Sequence, residues 1–375
     1  MNILIAPDKF KHSLSNLEAC EAMRDGLLKA SKSFSIQLLP LADGGDGLSE
    51  VLQHYLSAKT HQVLVSDPLF RSIRSCFLVS EDGKTAFIEM AKASGLLLLK
   101  PEEQNCMFTT TLGTGELIRE AIGLNIEEII LGIGGSATND CGMGMAAALG
   151  YRFLDKRGNE LSPVGRNLIN IDSIDQSGLI DFKNIKFTIA CDVTNPLLGT
   201  NGSAKVYARQ KGASDTEIDF LESGMRHFAH VIEKHFKRDI RNVEGSGAAG
   251  GMGAGSIVFL NADLISGIDL ILKISDAEEQ VRQAEIVLTG EGKIDEQSLS
   301  GKVIAGIGKL CHKHKKPLIA FCGELVVNQN QLNKIHVTSA HSINDGSITR
   351  EEAFKNAGKL LSKAVYKMAK GLKSS

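Results

Sequence analysis

The sequence predicts an α/β protein of two domains. One is built on a five-stranded parallel sheet whose strands come from both ends of the chain; the other is a mixed α/β domain inserted into it. Three observations predict this. The chain has 375 residues, too many for one ordinary core. Short, nearly continuous apolar runs alternate with helical periodicities at both ends, as strands buried on both faces require. Each such run ends in glycine or a charged residue.

Ile3–Ala6 is the first strand. Ser15 and Glu18 form a capping box, each side chain serving amides left free at a helix start. Leu17, Ala22, Met23, Leu27 and Leu28 then recur at helical spacing. Ile36–Leu39 is the second strand, ending in Pro40-Leu41-Ala42-Asp43-Gly44-Gly45-Asp46-Gly47, with a helix expected near Leu48. At the other end, Ala284–Leu288 is a strand running into Thr289-Gly290-Glu291-Gly292. A helix follows near 300–314, then a strand Pro317–Phe321 ending in Cys322-Gly323-Glu324. Ile335–Thr338 is the last strand, and a helix from about Glu351 to Met368 closes the chain. Residues 1–55 and 285–375 are thus expected to form one domain; if its strand order is 2-1-3-4-5, the first and third loops flank the crevice. Residues 56–284 form the insert. There 63–65, 76–79 and 86–90 read as antiparallel strands, 129–131 and 187–190 as buried strands, and 216–236 as a helix.

Charge excludes some functions. Lys and Arg total 42 against 44 Asp and Glu, so no basic field exists to attract nucleic acid or an anionic membrane. Trp is absent, which argues against stacking platforms for single strands. No apolar run approaches the roughly 20 residues of a membrane helix. The seven Cys are scattered without a C-x-x-C pair, as expected of reduced thiols rather than a disulfide frame or zinc site. The first residues enter a strand without a signal-peptide pattern, so a cytoplasmic protein is expected.

The 38 Gly are clustered, and clusters mark sharp turns or close backbone approach to a ligand. In an open parallel sheet, ligands sit beyond the carboxyl ends of the strands. The first strand there offers Asp8, Lys9 and Lys11; the second Asp43 to Gly47; the third Gly290 to Lys293 with Asp295. The insert adds Thr109 to Glu116, Gly132 to Asp140 and Gly245 to Gly253. Free amides at a helix start bind anions, and Gly lets a phosphate come close. The helix after Asp140 is expected to span Cys141–Leu149. Asp192 closes the 187–190 strand ahead of Pro196, a position suited to a general base or an Mg²⁺ ligand. No Walker P-loop occurs: before Gly83-Lys84-Thr85, Leu78 stands where the first Gly belongs. A rival exists. Gly132-x-Gly134-x-x-Ala137, with Asp155 at the end of a following strand, imitates a dinucleotide fingerprint and would imply an NAD-dependent oxidoreductase of a small hydroxy acid.

Taken together, Ile5 to Lys11, Leu41 to Gly47, Gly113 to Glu116, Gly134 to Asp140, Ala190 to Leu197 and Thr289 to Asp295 resemble the type-1 glycerate kinase family. Asp46 and Lys9 stand where that family commonly has Glu and Ser. The resemblance implies a flavodoxin-like domain carrying an inserted α/β domain, with the active site between them. It implies a phosphotransferase that moves a phosphoryl group from ATP, with Mg²⁺, to glycerate, 2-phosphoglycerate being the expected product. Such transfer needs a phosphate cradle, a metal, positive charge and a base for the attacking hydroxyl. The catalytic candidates are Asp192, Asp43 and Lys293. Gly134, Gly135, Ser136, Thr138, Asn139, Thr114, Gly115 and Gly290 are expected around ATP. Asp8, Lys11, Gly44, Gly45, Arg209 and Asp295 are expected around glycerate, and Asp192 and Asp140 around Mg²⁺.

Overall fold

The computed structural model describes residues 1–42, 51, 53–55, 57–296, 298–299, 302–344, 346 and 348–372. Thirteen strands occur among them: β1 (Asn2–Ile5), β2 (Ser35–Leu38), β3 (Lys59–Ser66), β4 (Ser72–Val79), β5 (Thr85–Glu89), β6 (Glu128–Gly132), β7 (Arg152–Leu154), β8 (Ser173–Asp175), β9 (Lys186–Ala190), β10 (Asp263–Ile265), β11 (Ile286–Ile294), β12 (Leu318–Leu325) and β13 (Ser339–Ser342). Contacts divide the chain into two units, Met1–Tyr55 with Gly267–Ser375, and Leu56–Ser266.

The first unit holds a parallel sheet ordered β13-β12-β11-β1-β2. In chain order that is 2-1-3-4-5, a doubly wound order. Register pairs Ile3, Leu4 and Ile5 with Ile286, Val287 and Leu288, so the two ends of the chain are neighbours at the sheet centre. Ile3, Ile5, Met23, Leu27, Leu288, Phe321, Leu361 and Val365 share one buried cluster. The helix Asn16–Ala30 starts as predicted: Ser15 Oγ accepts from the Glu18 amide, and the Glu18 carboxylate accepts from the Ser15 amide at 2.8 Å. Ser15→Ala is expected to lower stability by about 1 kcal/mol in denaturant titration. An unchanged midpoint would show that the helix start is held by packing alone.

Two elements differ from expectation. The last strand is Ser339–Ser342, not 335–338. Ile335 and Val337 are buried, but from the connection that precedes the strand. The strand itself is a polar edge, partly exposed, and carries no apolar signal. The first unit also includes the helices Gly267–Ile274 and Ala277–Gln283, upstream of the residue-285 boundary read from the sequence. These helices feed β11, and Ile268 packs so close to Gly306 that a side chain there would collide with it.

The second unit holds a mixed sheet ordered β10-β9-β6-β5-β4-β3. β3, β4 and β5 are antiparallel, whereas β5, β6, β9 and β10 run parallel. The helix Asp215–Phe236 begins at a second capping box, Ser214 with Glu217. β7 and β8 form a separate antiparallel hairpin. No helix among the described residues is long and apolar enough to cross a membrane.

Candidate functional site

In the first unit the strand order turns between β1 and β11, where a doubly wound sheet opens a crevice at its carboxyl edge. Beyond Ile5 the chain stays attached to β11: the Ala6 amide donates to Leu288 O at 2.7 Å and the Asp8 amide to Gly290 O at 2.8 Å. Thr289 Oγ1 donates to Ala6 O at 2.7 Å. Asp8 is buried, and its Oδ1 accepts from the Lys9 amide at 2.7 Å and from Asn16 Nδ2 at 3.2 Å. Asn16 Nδ2 also donates to Leu41 O, so Asp8 is fixed by the β1 loop, a helix start and the chain after β2.

Glu291, one residue beyond Gly290 and not among the sequence candidates, belongs to this edge. Its Oε1 is wholly enclosed and has no hydrogen-bond partner among the described residues. Burial pushes its carboxyl up to about 7; Asp8 and Asp295 act in the same direction, and the Ser298 hydroxyl and Lys302 oppose them. Lys293 is exposed and lies 3.9 Å from Asp295 Oδ2 and 3.9 Å from Glu324 Oε1. Lys11 is exposed on the β1 loop. Gly290, expected near ATP, is instead a buried strand residue. A Cβ there would lie 2.4 Å from Phe321 O, so the glycine serves strand packing. Asp43, Gly44 and Gly45 fall outside the described residues.

In the second unit, β6 ends at Gly132 and the chain turns through 133–142. Gly134 and Gly135 are exposed, and the residues from Ser136 to Gly142 are buried. The turn is pinned from outside. The Ala137 amide donates to Ser94 O and the Leu96 amide to Gly135 O, each at 2.9 Å. Thr109 Oγ1 donates to Ala137 O at 2.9 Å. Gly135 sits at φ +71°, which L side chains rarely adopt.

Asp140, expected around Mg²⁺, is buried and held by the protein's own donors. Its Oδ2 accepts from the Thr111 amide and hydroxyl, both at 2.8 Å, and from the Gly144 amide at 3.2 Å. Its Oδ1 accepts from the Gly142 amide at 3.2 Å. Full burial raises its pKa, against the pull of those donors. Three of the four donors fall on Oδ2 and one on Oδ1, so the carboxylate ties the turn to the Thr111 loop and the helix start. The helix is also shorter than expected, Met143–Ala148, because Cys141 and Gly142 are left-handed.

Thr114 and Gly115 are likewise packing residues. Thr114 Oγ1 donates to Ser94 Oγ at 2.8 Å in the interior. A Cβ on Gly115 would lie 2.4 Å from Met145 O, so this glycine lets two helices approach closely. The Gly245–Gly253 cluster packs on the first turn: the Cys141 amide donates to Gly250 O at 3.0 Å, and a Cβ on Gly250 would lie 1.9 Å from Thr138 O. Much of the glycine signal therefore reports contact between two loops. Thr138 Oγ1, Ser203 Oγ and Ser246 Oγ are enclosed here without a hydrogen-bond partner among the described residues.

Asp192 lies two residues beyond β9 and is exposed, as are Val193 and Thr194. The chain is fixed on both sides of it. The Cys191 amide donates to Ile265 O at 2.8 Å, and Asn195 Oδ1 accepts from Tyr207 OH at 2.6 Å. Arg209 is exposed and paired with Asp215. Two residues on stands Lys211, which the sequence reading missed, the only Lys or Arg buried among the described residues. Its Nζ donates to Ser136 Oγ at 2.7 Å and to Thr138 O at 2.8 Å.

The dinucleotide alternative fails on topology. It requires the strand ending at Asp155 to lie parallel beside β6. The neighbours of β6 are β5 and β9, and β7 pairs only with β8. The Asp155 carboxylate holds its own turn, accepting from the Arg157 and Asn159 amides at 2.8 and 2.9 Å.

The arrangement thus comprises a doubly wound sheet with a carboxyl poised near neutrality at its switch point, and a second sheet ending in an exposed glycine turn and an exposed Asp. Residues 3–373 match the model of the glycerate kinase family, and the chain belongs to that family. Among its relatives, a glycerate kinase of Bacillus subtilis (strain 168) is 41% identical over 374 residues, covering 100% of this chain and 98% of that one. A glycerate 2-kinase of Escherichia coli (strain K12) is 41% identical over 358 residues, covering 95% and 94%. A crystal structure of a Salmonella typhimurium LT2 protein assigned as glycerate kinase 2 superposes with a TM-score of 0.89 at 38% identity, covering 100% of this chain and 98% of that one.

Proposed function

We propose that this protein is an ATP-dependent, Mg²⁺-requiring glycerate kinase that forms 2-phosphoglycerate in the cytoplasm. The observation that carries the reading is family membership along nearly the whole chain, with the Escherichia coli relative named a glycerate 2-kinase. Seven free thiols suit a reducing compartment.

Phosphoryl transfer is mostly positioning and charge stabilisation. In this reading the exposed Gly134-Gly135 turn and Ser136 receive the phosphates of ATP, with Thr138 and Asn139 shaping the turn from beneath. Asp192 takes the proton of the acceptor hydroxyl. Lys293 and Lys11 serve negative charge at the β1/β11 edge, where Asp8 and Asp295 orient the acid; Arg209 is a surface candidate for the same task. Mg²⁺ typically takes one or two carboxylates plus substrate phosphates, so the exposed Asp192 suits it better than the enclosed Asp140. Bound Mg²⁺ would neutralise charge on the phosphates.

A coupled assay for ADP release over a panel of small hydroxy acids, at varied Mg²⁺, is expected to give turnover with glycerate. Phosphorus NMR is expected to place the phosphate on the 2-hydroxyl. ADP formation with some other acid and none with glycerate would overturn the substrate, and a 3-phosphate product would overturn the regiochemistry.

A further inference from the structure

Lys211 has no part in the scheme above, yet its environment is costly and specific. It closes the short helical turn Arg209–Lys211. The next residue, Gly212, lies so close to the chain at 104–105 that a Cβ would sit 1.8 Å from Gln104 O. The Lys211 carbonyl accepts from the Cys106 amide at 3.1 Å. The backbone is thus clamped with its side chain 3% exposed. A buried ammonium without a carboxylate in direct contact is expensive, and structure of that kind is usually kept for a counter-charge. Burial holds the Lys211 pKa down to about 8, and the titratable groups that act on it, Cys106 and Asp140, oppose that shift.

Both hydrogen bonds of its Nζ among the described residues fall on the glycine turn after β6, one being to the Ser136 hydroxyl. An ammonium only donates, so Ser136 Oγ acts there as acceptor and keeps its own proton. Among the described residues no acceptor for that proton is found. Ser136 follows the two exposed glycines directly.

We propose that Lys211 is a positioning residue which, by holding Ser136 Oγ as an acceptor, commits the Ser136 proton to an anionic oxygen of a substrate bound at the 134–136 turn. The proposal deepens the reading of that turn given above. The shared chemistry is a phosphate or carboxylate oxygen, whose source is either the nucleotide or the hydroxy acid.

The test uses Lys211→Met, Lys211→Arg, Ser136→Ala and the Met/Ala double variant. Titration calorimetry with ATP and with glycerate separately reads affinity without turnover, and steady-state kinetics reads KM against kcat. Losing a charge-assisted hydrogen bond is expected to weaken one of the two anions by about tenfold or more in Lys211→Met, with a smaller change in kcat. Lys211→Arg should recover part of the loss. Ser136→Ala should reproduce it, and the double variant should be no worse than either single one. The alkaline fall of kcat/KM near pH 8, where Lys211 loses its proton, should be absent in Lys211→Met. Whether ATP or glycerate weakens names the source of the oxygen. Parent protein that binds neither anion, a Lys211→Met variant with unchanged affinity for both, or additive losses in the double variant would overturn the proposal. If Lys211→Met does not fold, Ser136→Ala decides: parent-like affinity for both anions rules it out. Parent protein that binds ATP but never phosphorylates glycerate would instead remove the proposed function and leave this inference standing.

Discussion

Asp192→Asn is expected to lower turnover by about 10²–10⁴-fold while leaving the fold intact, the usual range for removal of a general base. Asp192 is exposed and stands in a short exposed run, where a near-isosteric substitution is usually tolerated by the fold. The flanking chain is held by β10 through Cys191 and by Tyr207 through Asn195, which fixes where the carboxylate begins. Steady-state kinetics at several Mg²⁺ concentrations separates the two roles open to it. A base is not replaced by metal, so the loss should persist at high Mg²⁺. Substantial recovery there would make Asp192 a metal ligand. Near-normal turnover at ordinary Mg²⁺ would remove it from the mechanism and pass the role to Asp43 or Glu291.

Glu291→Gln is expected to flatten the dependence of stability on pH. The folded carboxyl titrates at about 7, against an ordinary value of 4.5. Between those values the folded chain retains a proton that the unfolded chain has released, so stability falls as pH rises through this window. The loss is complete above pH 7 and amounts to about 3 kcal/mol at most. Burial is the largest cause, and an amide of the same shape avoids the burial of a charge. The variant should therefore match the parent near pH 5 and exceed it near pH 8. Guanidinium titrations at pH 5, 6, 7 and 8 measure this. Parallel curves for the two proteins would show that Glu291 ionises normally.

The fold was legible where burial on both faces forces an unbroken apolar run. Ile3 to Ala6, Ile286 to Leu288 and Leu318 to Phe321 are such runs, and their alternation with helices gives the parallel order. The edge strand Ser339–Ser342 was not, because an edge needs little apolar surface. The second boundary was misplaced because the helices before β11 look like any amphipathic helices until contacts assign them.

The site was legible in outline only. Gly115 and Gly290 look like phosphate glycines, but a glycine needed for close packing leaves the same mark in sequence. That Asp140 holds the Thr111, Gly142 and Gly144 amides is invisible in sequence, because those contacts cross between loops. Lys211 sits in an Arg-Gln-Lys-Gly run that reads as surface, and only the tertiary clamp at Gln104 and Cys106 buries it. For Glu291 a signal was present, a carboxylate between two glycines at a strand end, yet its neutral-range titration arises from enclosure.

Because β1 pairs with β11, the first strand must wait for its partner while the protein is being made. β1 and β2 leave the ribosome early, whereas residue 286 follows only after the entire second unit. At typical rates of synthesis the interval is on the order of 10–50 s. Throughout it, Ile3, Leu4 and Ile5 present an unpaired edge to the cell. The second unit is contiguous and meets no such delay, so it can reach its own core while β1 still lacks β11. Vulnerability to misassembly is thereby concentrated in the first few dozen residues of a nascent chain, and a ribosome stalled before β11 leaves β1 with only β2 to pair with and its other side open.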